Sequence, residues 1–174
     1  DCLLSRGLGD VYKRQDMRIP CEPFNMKITV MNKSTAVRKS FSATSGSKVI
    51  ISIRTPGDEK AEFDDENKSI KDVLYLAFYD VSFENSDIYA GYAGMTAEDA
   101  QKVKDFVLKW KDEVLELWIH CDAGVSRSAG IAAGILKAFG KDDSELFKTL
   151  LPNSLCYKRI LCAFLDQNKI QFAK

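Results

Sequence analysis

Short apolar segments alternate with segments of helical periodicity along most of the chain. Four segments rich in β-branched and aromatic residues are predicted to be strands, and they cover residues 26–30, 48–53, 73–79 and 116–120. The last three are apolar at nearly every position, which is typical of strands that are buried on both faces of a sheet. This pattern predicts a sheet with both of its faces covered.

The alternation also predicts four helices in the second half of the chain. Residues 96–114 are predicted to form one helix, because their apolar residues recur at helical spacing along one face. Thr96, at the start of this segment, is a residue type suited to cap a helix. A second helix is predicted from about Arg127 to Phe139, and two more near 142–151 and from Ser154 to about Gln167. Strands that alternate with helices of this length predict an α/β fold with a central, mostly parallel sheet of four to five strands.

Two segments lie outside this alternation. Residues 1–25 have no hydrophobic periodicity, and we interpret them as a non-native or disordered leader to a single domain that covers residues 26–174. Met26 is the expected natural start of the chain, with Met17 as the alternative. Residues 57–69 are rich in acidic side chains, and we expect a solvated surface loop or short helix there.

The composition narrows the class of protein. The chain has 174 residues, of which 45% are hydrophobic and 29% charged, as is typical of a globular domain. Lysine plus arginine and aspartate plus glutamate number 25 each, so no overall basic field favours a nucleic acid or an anionic membrane as partner. No apolar run reaches the ~18 residues that a transmembrane helix requires. The five cysteines show no regular spacing and no CxxC pair, which favours a cytoplasmic location.

The chain contains one histidine, His120. Catalytic zinc and iron sites usually draw on two or more imidazoles, so a metal centre built from histidines is disfavoured. We therefore expect neither a metal ion nor an organic cofactor.

The segment HCDAGVSRS joins the last predicted strand to the second predicted helix. Five residues separate Cys121 from Arg127, namely Asp122, Ala123, Gly124, Val125 and Ser126. A loop this short turns its backbone N–H groups toward one point beside a helix N-terminus, and such a concavity binds an anion the size of phosphate. Gly124 permits the torsions of a tight loop, and the guanidinium of Arg127 can bind two phosphate oxygens at once. In this positive field we expect Cys121 to be a thiolate nucleophile.

The same segment resembles the signature His-Cys-x5-Arg-Ser/Thr of the cysteine-based protein tyrosine phosphatase superfamily. Its CxxGxSRS form is most similar to the compact dual-specificity branch and to small bacterial or viral relatives of that branch. The resemblance implies a protein tyrosine phosphatase-like fold and hydrolysis of a phosphomonoester through a cysteinyl phosphate. It implies that Cys121 is the nucleophile, that Arg127 and the loop amides bind phosphate, and that Ser128 polarises the thiolate. It assigns His120 to bracing the loop rather than to acting as a base.

Relatives of this kind use an aspartate upstream of the cysteine as general acid. In the segment YLAFYDVSFENSD the chain offers Asp80, which directly follows an apolar strand, and Asp87, which lies deeper in the next loop. Asp80 fits the resemblance better and is the predicted acid, with Asp87 as the alternative. Either residue could instead be an ordinary turn or cap aspartate.

The substrate that the resemblance implies is a phosphorylated protein or peptide, with phosphotyrosine first and phosphoserine or phosphothreonine also open. A non-catalytic phosphate-binding pseudophosphatase is one alternative, and a phosphatase of a phosphoinositide or an RNA 5′-phosphate is another. The loop between Cys121 and Arg127 holds one acidic residue and no basic one, which disfavours a multiply charged ligand. We expect the protein to be a monomer.

Overall fold

The computed structural model describes residues 23–42 and 46–165. Its strands are β1 (Lys27–Asn32), β2 (Lys48–Arg54), β3 (Ile70–Ala77) and β4 (Glu116–Cys121). All pairs are parallel and the spatial order is β1-β4-β2-β3, so β4 and β2 occupy the centre. The predicted α/β class is confirmed, with a sheet of four strands among the described residues.

The helices are α1 (Lys33–Ser40), α2 (Ala97–Trp110), α3 (Arg127–Ala138), α4 (Ser144–Thr149) and α5 (Ser154–Phe164). The last four occur where they were predicted, with shorter ends, although Gln167 lies outside the described residues. Helix α1 was not predicted, because its sequence KSTAVRKS is mostly polar and buries only Ala36 and Ser40. No helix in the described part of the chain is long and apolar enough to cross a membrane.

Alternate residues of the central strands pack into two different hydrophobic clusters. On one face, side chains such as Ile51 and Ile119 pack against α2, α3 and α5. On the other face, Ile50 and Trp118 pack against α1 and against the segment that precedes β3. Successive side chains of a strand point to opposite faces of the sheet because the strand is pleated. Since both faces are covered here, the central strands are apolar at successive positions.

The acidic segment 57–69 is more than a solvated loop. Its residues Ala61 and Phe63 are buried and pack with Trp118, while the acidic side chains between and after them stay partly or fully exposed. The segment therefore covers the second face of the sheet with alternate residues.

The ordered core begins before the expected domain start at residue 26. Phe24 is only 4% exposed, and its ring stacks on Phe139 with the ring centroids 4.5 Å apart. The earlier part of the predicted leader, residues 1–22, lies outside the described residues.

Two glycines let α3 pack closely on α5. A Cβ atom added at Gly134 would lie 2.8 Å from the Cβ of Ile160, and one added at Gly130 would lie 2.5 Å from the carbonyl oxygen of Asn153. Side chains at these positions would force the helices apart, since packed interiors leave no room for extra groups. The glycine pair therefore sets how near the start of α5 comes to the start of α3.

Gly134→Val tests this close approach. We expect it to lower the free energy of unfolding by about 2 kcal/mol, because overpacking against Ile160 outweighs any gain in helix propensity. Urea unfolding measures the change. The control is Gln101→Val on the exposed face of α2, which should change stability by less than about 0.5 kcal/mol. Equal stability of the two variants would contradict the proposed tight contact.

Candidate active site

The loop of residues 122–126 lies at the carboxyl edge of the sheet, between the end of β4 and the start of α3. Gly124 has a φ of +71°, and a Cβ atom added there would lie 2.4 Å from the carbonyl carbon of Met31 and 2.5 Å from the backbone nitrogen of Asn32. Both the torsion and the contact exclude a side chain. The backbone of the loop therefore lies directly against the end of β1.

Neighbouring segments hold the loop carbonyls from outside. The backbone pairs are Lys33 N–H to Asp122 O at 3.3 Å, Leu151 N–H to Val125 O at 3.2 Å, and Asn153 N–H to Ser126 O at 3.0 Å. By contrast, the backbone N–H groups of Ala123, Val125 and Ser126 donate to no other group among the described residues. Unpaired N–H groups on one side of a loop form an anion-binding concavity.

The thiol of Cys121 lies at the base of this concavity and is 2% exposed. The backbone N–H of Gly124 donates to its Sγ at 3.3 Å, and the hydroxyl of Ser128 lies 3.2 Å from the same atom. Hydrogen-bond donors directed at sulfur stabilise negative charge on it. The structure thus brings Ser128 to the thiol, as the sequence signature implies.

Arg127 is 5% exposed, and one edge of its guanidinium is held by the protein. Its Nη1 donates to the carbonyl of Phe78 at 2.9 Å and to Oγ1 of Thr55 at 3.2 Å, and its Nη2 donates to the carboxylate of Asp122. Its Nε is buried and has no partner among the described residues. An unpaired buried N–H of a guanidinium is costly unless an acceptor binds there.

His120 lies behind the loop, 1% exposed. Its Nε2 is 2.8 Å from the hydroxyl of Ser52 on β2, and its ring meets the ring of Phe63 edge-on with the centroids 5.7 Å apart. Burial lowers the pKa of His120 more than the contact with the Cys121 carbonyl raises it, so the neutral imidazole is favoured. This position is compatible with the predicted bracing role.

The structure brings Asp80 to the loop and leaves Asp87 away from it. Oδ1 of Asp80 accepts hydrogen bonds from the hydroxyl of Ser126 at 2.7 Å and from Nδ2 of Asn153 at 2.7 Å. Asp87 is exposed, and no hydrogen bond in the described part of the chain joins it to the loop. Geometry therefore favours Asp80, whose catalytic role remains a prediction.

Asn153 is a residue of this site that the sequence reasoning missed. Its Oδ1 caps α5 by accepting the N–H of Cys156 at 2.9 Å, and its Nδ2 donates to Asp80 and to the carbonyl of Val81. An asparagine between Pro152 and a predicted helix is a recognisable cap signal, but that signal does not reveal the second contact. Thr55 contacts Arg127, and Ser52 contacts His120. The sequence around these two residues contains no motif that indicates a role in the site.

The buried His120 makes stability depend on pH. The pKa of His120 is about 6.5 in the unfolded chain and lower in the folded protein. At a pH between these two pKa values the imidazole is protonated in the unfolded state and neutral in the folded state. Stability is unaffected by this group above pH ~6.5 and falls as the pH drops below it. We expect the free energy of unfolding to decrease as the pH drops from about 7.5 to about 5.5.

His120→Gln is the matched control, because it removes the one histidine of the chain. Urea unfolding of the variant should show a smaller change over the same pH interval. Equal pH dependence of the two proteins would contradict a neutral, buried imidazole.

Comparisons with known proteins bear on the fold. Neither a model of any protein family nor the sequence of any curated protein matches this chain. Solved structures do match it, and one of them is the human tyrosine phosphatase-like serine/threonine/tyrosine-interacting protein. This match has a TM-score of 0.57 at 17% sequence identity and covers 84% of this chain and 93% of that one.

Two further structures agree with this match. Tk-PTP in its active form gives a TM-score of 0.51 at 12% identity, covering 84% of this chain and 94% of that one. PTPMT1 gives a TM-score of 0.50 at 16% identity, covering 87% of this chain and 99% of that one. The chain therefore has a protein tyrosine phosphatase-like fold, as the signature at Cys121 predicts.

Proposed function

We propose that this protein is a cysteine-dependent protein tyrosine or dual-specificity phosphatase that hydrolyses phosphomonoesters. The observation that supports this most is the unpartnered, buried Nε of Arg127 beside a loop with free N–H groups and the Cys121 thiol. A phosphate group would satisfy these donors together and would bring its phosphorus next to the sulfur.

The first step transfers the phosphoryl group to the enzyme. The Cys121 thiolate attacks phosphorus, an S–P bond forms, and the P–O bond to the leaving group breaks while Asp80 gives its proton to the departing oxygen. Nε and Nη2 of Arg127 and the loop N–H groups bind the three other oxygens, on which charge is redistributed. Asp122 also contacts Nη2, so it borders the bound phosphate.

The second step returns the enzyme to its starting state. Asp80, now a carboxylate, takes a proton from water, whose oxygen attacks phosphorus while the S–P bond breaks and inorganic phosphate leaves. The Ser128 hydroxyl, 3.2 Å from Sγ, stabilises the departing thiolate. Ser126 and Asn153 both contact Oδ1 of Asp80, and we assign the proton transfers to its Oδ2.

The proposed substrate is a phosphorylated protein or peptide, with phosphotyrosine first. The expected single catalytic domain, the cytoplasmic location, the monomeric state and the absence of metal and nucleic acid remain parts of this proposal. The main alternative is a non-catalytic phosphate-binding protein, which the following variants distinguish.

Cys121→Ser should abolish turnover of a small aryl phosphate, with a loss of at least about 10³-fold in kcat/KM, because serine is a far weaker nucleophile here. Turnover by the wild type should resist a metal chelator and be blocked by vanadate. Cys156→Ala is the control, since Cys156 is the other free cysteine of the described residues and makes no contact with the phosphate in this scheme. No turnover by the folded wild type would favour the non-catalytic alternative, and robust turnover by Cys121→Ser would exclude the thiolate mechanism.

Asp80→Asn should slow hydrolysis of phenyl phosphate by roughly 10²-fold and affect p-nitrophenyl phosphate much less, because a good leaving group needs little protonation. The basic limb of the pH profile should also flatten. Asp87→Asn is the matched control and should resemble the wild type. The opposite pattern, with Asp87→Asn impaired and Asp80→Asn active, would move the general acid to Asp87.

A further inference from the structure

Helix α1 carries a net positive charge next to the phosphate-binding loop. Its sequence KSTAVRKS contains three basic residues and no acidic one, and it buries only Ala36 and Ser40. The helix therefore contributes little to the core and presents basic side chains at the surface.

Backbone contacts hold the start of α1 against the loop. The N–H of Lys33 donates to the carbonyl of Asp122 at 3.3 Å. One residue earlier, the side chain of Asn32 caps the helix by accepting the N–H of Thr35 at 2.8 Å. The side chains of α1 therefore have a fixed position relative to the loop that is proposed to bind phosphate.

An open groove of about 610 Å³ lies between α1 and the loop. We call it the α1 groove; residues 32–34, 37 and 38 line it on the side of the helix, and Asp122 and Ala123 line it on the side of the loop. Since the groove shares two residues with the loop, it lies directly beside the proposed phosphate site. A substrate bound at that site would place its neighbouring groups near the groove on one side only.

The α1 groove holds more cations than carboxylates. Lys33 and Arg38 form no ion pair within the described residues, and Nζ of Lys33 donates to the backbone carbonyl of Glu59, at 2.8 Å, rather than to its carboxylate. The carboxylate that does line the groove, that of Asp122, is already bound by Nη2 of Arg127. An anionic side chain in the groove would therefore meet two cations without a carboxylate partner in the described part of the chain.

We propose that the α1 groove binds an acidic side chain of the substrate, a glutamate or aspartate within about three residues of the phosphotyrosine and on one side of it. Three extended residues span roughly 10 Å, which is enough to reach from the phosphate site to the neighbouring groove. This inference rests on the proposed function and deepens it. The loop between Cys121 and Arg127 contains no basic residue and by itself disfavours a second anion, and α1 supplies the two cations that the loop lacks.

Three phosphotyrosine peptides test the proposal. One has glutamate at the three positions before the phosphotyrosine, one has glutamate at the three positions after it, and one has glutamine at all of these positions. The wild type should prefer one glutamate peptide over the glutamine peptide by roughly three- to tenfold in kcat/KM at low ionic strength, and added salt should reduce this preference. The other glutamate peptide should resemble the glutamine peptide. Equal turnover of all three, or an equal preference for both glutamate peptides, would overturn the proposal.

Lys33→Gln and Arg38→Gln should each reduce the preference by roughly twofold or more, and the double variant should remove it. Turnover of p-nitrophenyl phosphate, which has no flanking residues, should stay unchanged in these variants. The matched control is Lys39→Gln, which removes a cation of the same helix that does not line the groove. Its preference should be close to that of the wild type. A preference retained by the double variant, or lost to the same extent in Lys39→Gln, would overturn the assignment to the groove.

Calorimetry separates this proposal from the proposed catalysis. Cys121→Ser should bind one glutamate peptide several-fold more tightly than the glutamine peptide, and adding Lys33→Gln and Arg38→Gln should remove the difference. If the wild type hydrolyses no substrate but this difference is found and then lost, the acidic-residue site stands and the catalytic proposal fails. If the wild type hydrolyses all three peptides and Cys121→Ser binds them equally, catalysis stands and the acidic-residue site fails. A dependence on Lys33 and Arg38 for a soluble inositol bisphosphate, and not for the peptides, would also overturn the peptide assignment.

Discussion

The contact between the loop after β4 and the end of β1 determines the shape of the site. At Gly124 the loop backbone lies so near Met31 and Asn32 that no Cβ atom fits, and the carbonyls of Asp122, Val125 and Ser126 are bound from outside. With these acceptors used, the loop presents N–H donors to the interior, where Cys121 ends β4. A looser contact would let the loop rotate, and the anion-binding geometry would be lost.

Arg127 connects this loop to the rest of the sheet. The same guanidinium binds the ends of β2 and β3 through Thr55 and Phe78 and keeps its Nε free. One edge of the guanidinium therefore donates to the protein, and another edge is available to a ligand. A planar group with five N–H donors can do both, whereas the single ammonium of a lysine could not. Asp122 completes the arrangement by accepting a hydrogen bond from Nη2 of the same guanidinium.

Helix packing positions the predicted acid. The glycines of α3 allow α5 to approach, and Asn153 at the start of α5 then reaches Asp80 with one end of its amide while capping the helix with the other. The close packing of α3 against α5 thus helps to place the carboxylate of Asp80 beside the loop. The stability of the α3–α5 contact and the geometry of the acid are coupled through this one side chain.

The sequence by itself determined the α/β class, the four strands to within a few residues of their bounds, and the loop of residues 122–126, because these depend on neighbours within a few residues. It wrongly made the segment 73–79 a strand buried on both faces, whereas β3 lies at an edge of the sheet and buries only Leu76. It missed α1, whose polar sequence buries only two residues. It also left Asp80 and Asp87 both open, and it gave no sign of Thr55 or of the second contact of Asn153. Those side chains meet at the site only after the parallel strands align in the order β1-β4-β2-β3 and α5 packs on α3. Local periodicity contains no information on strand order or helix approach, so only the tertiary structure decided which distant residues complete the site.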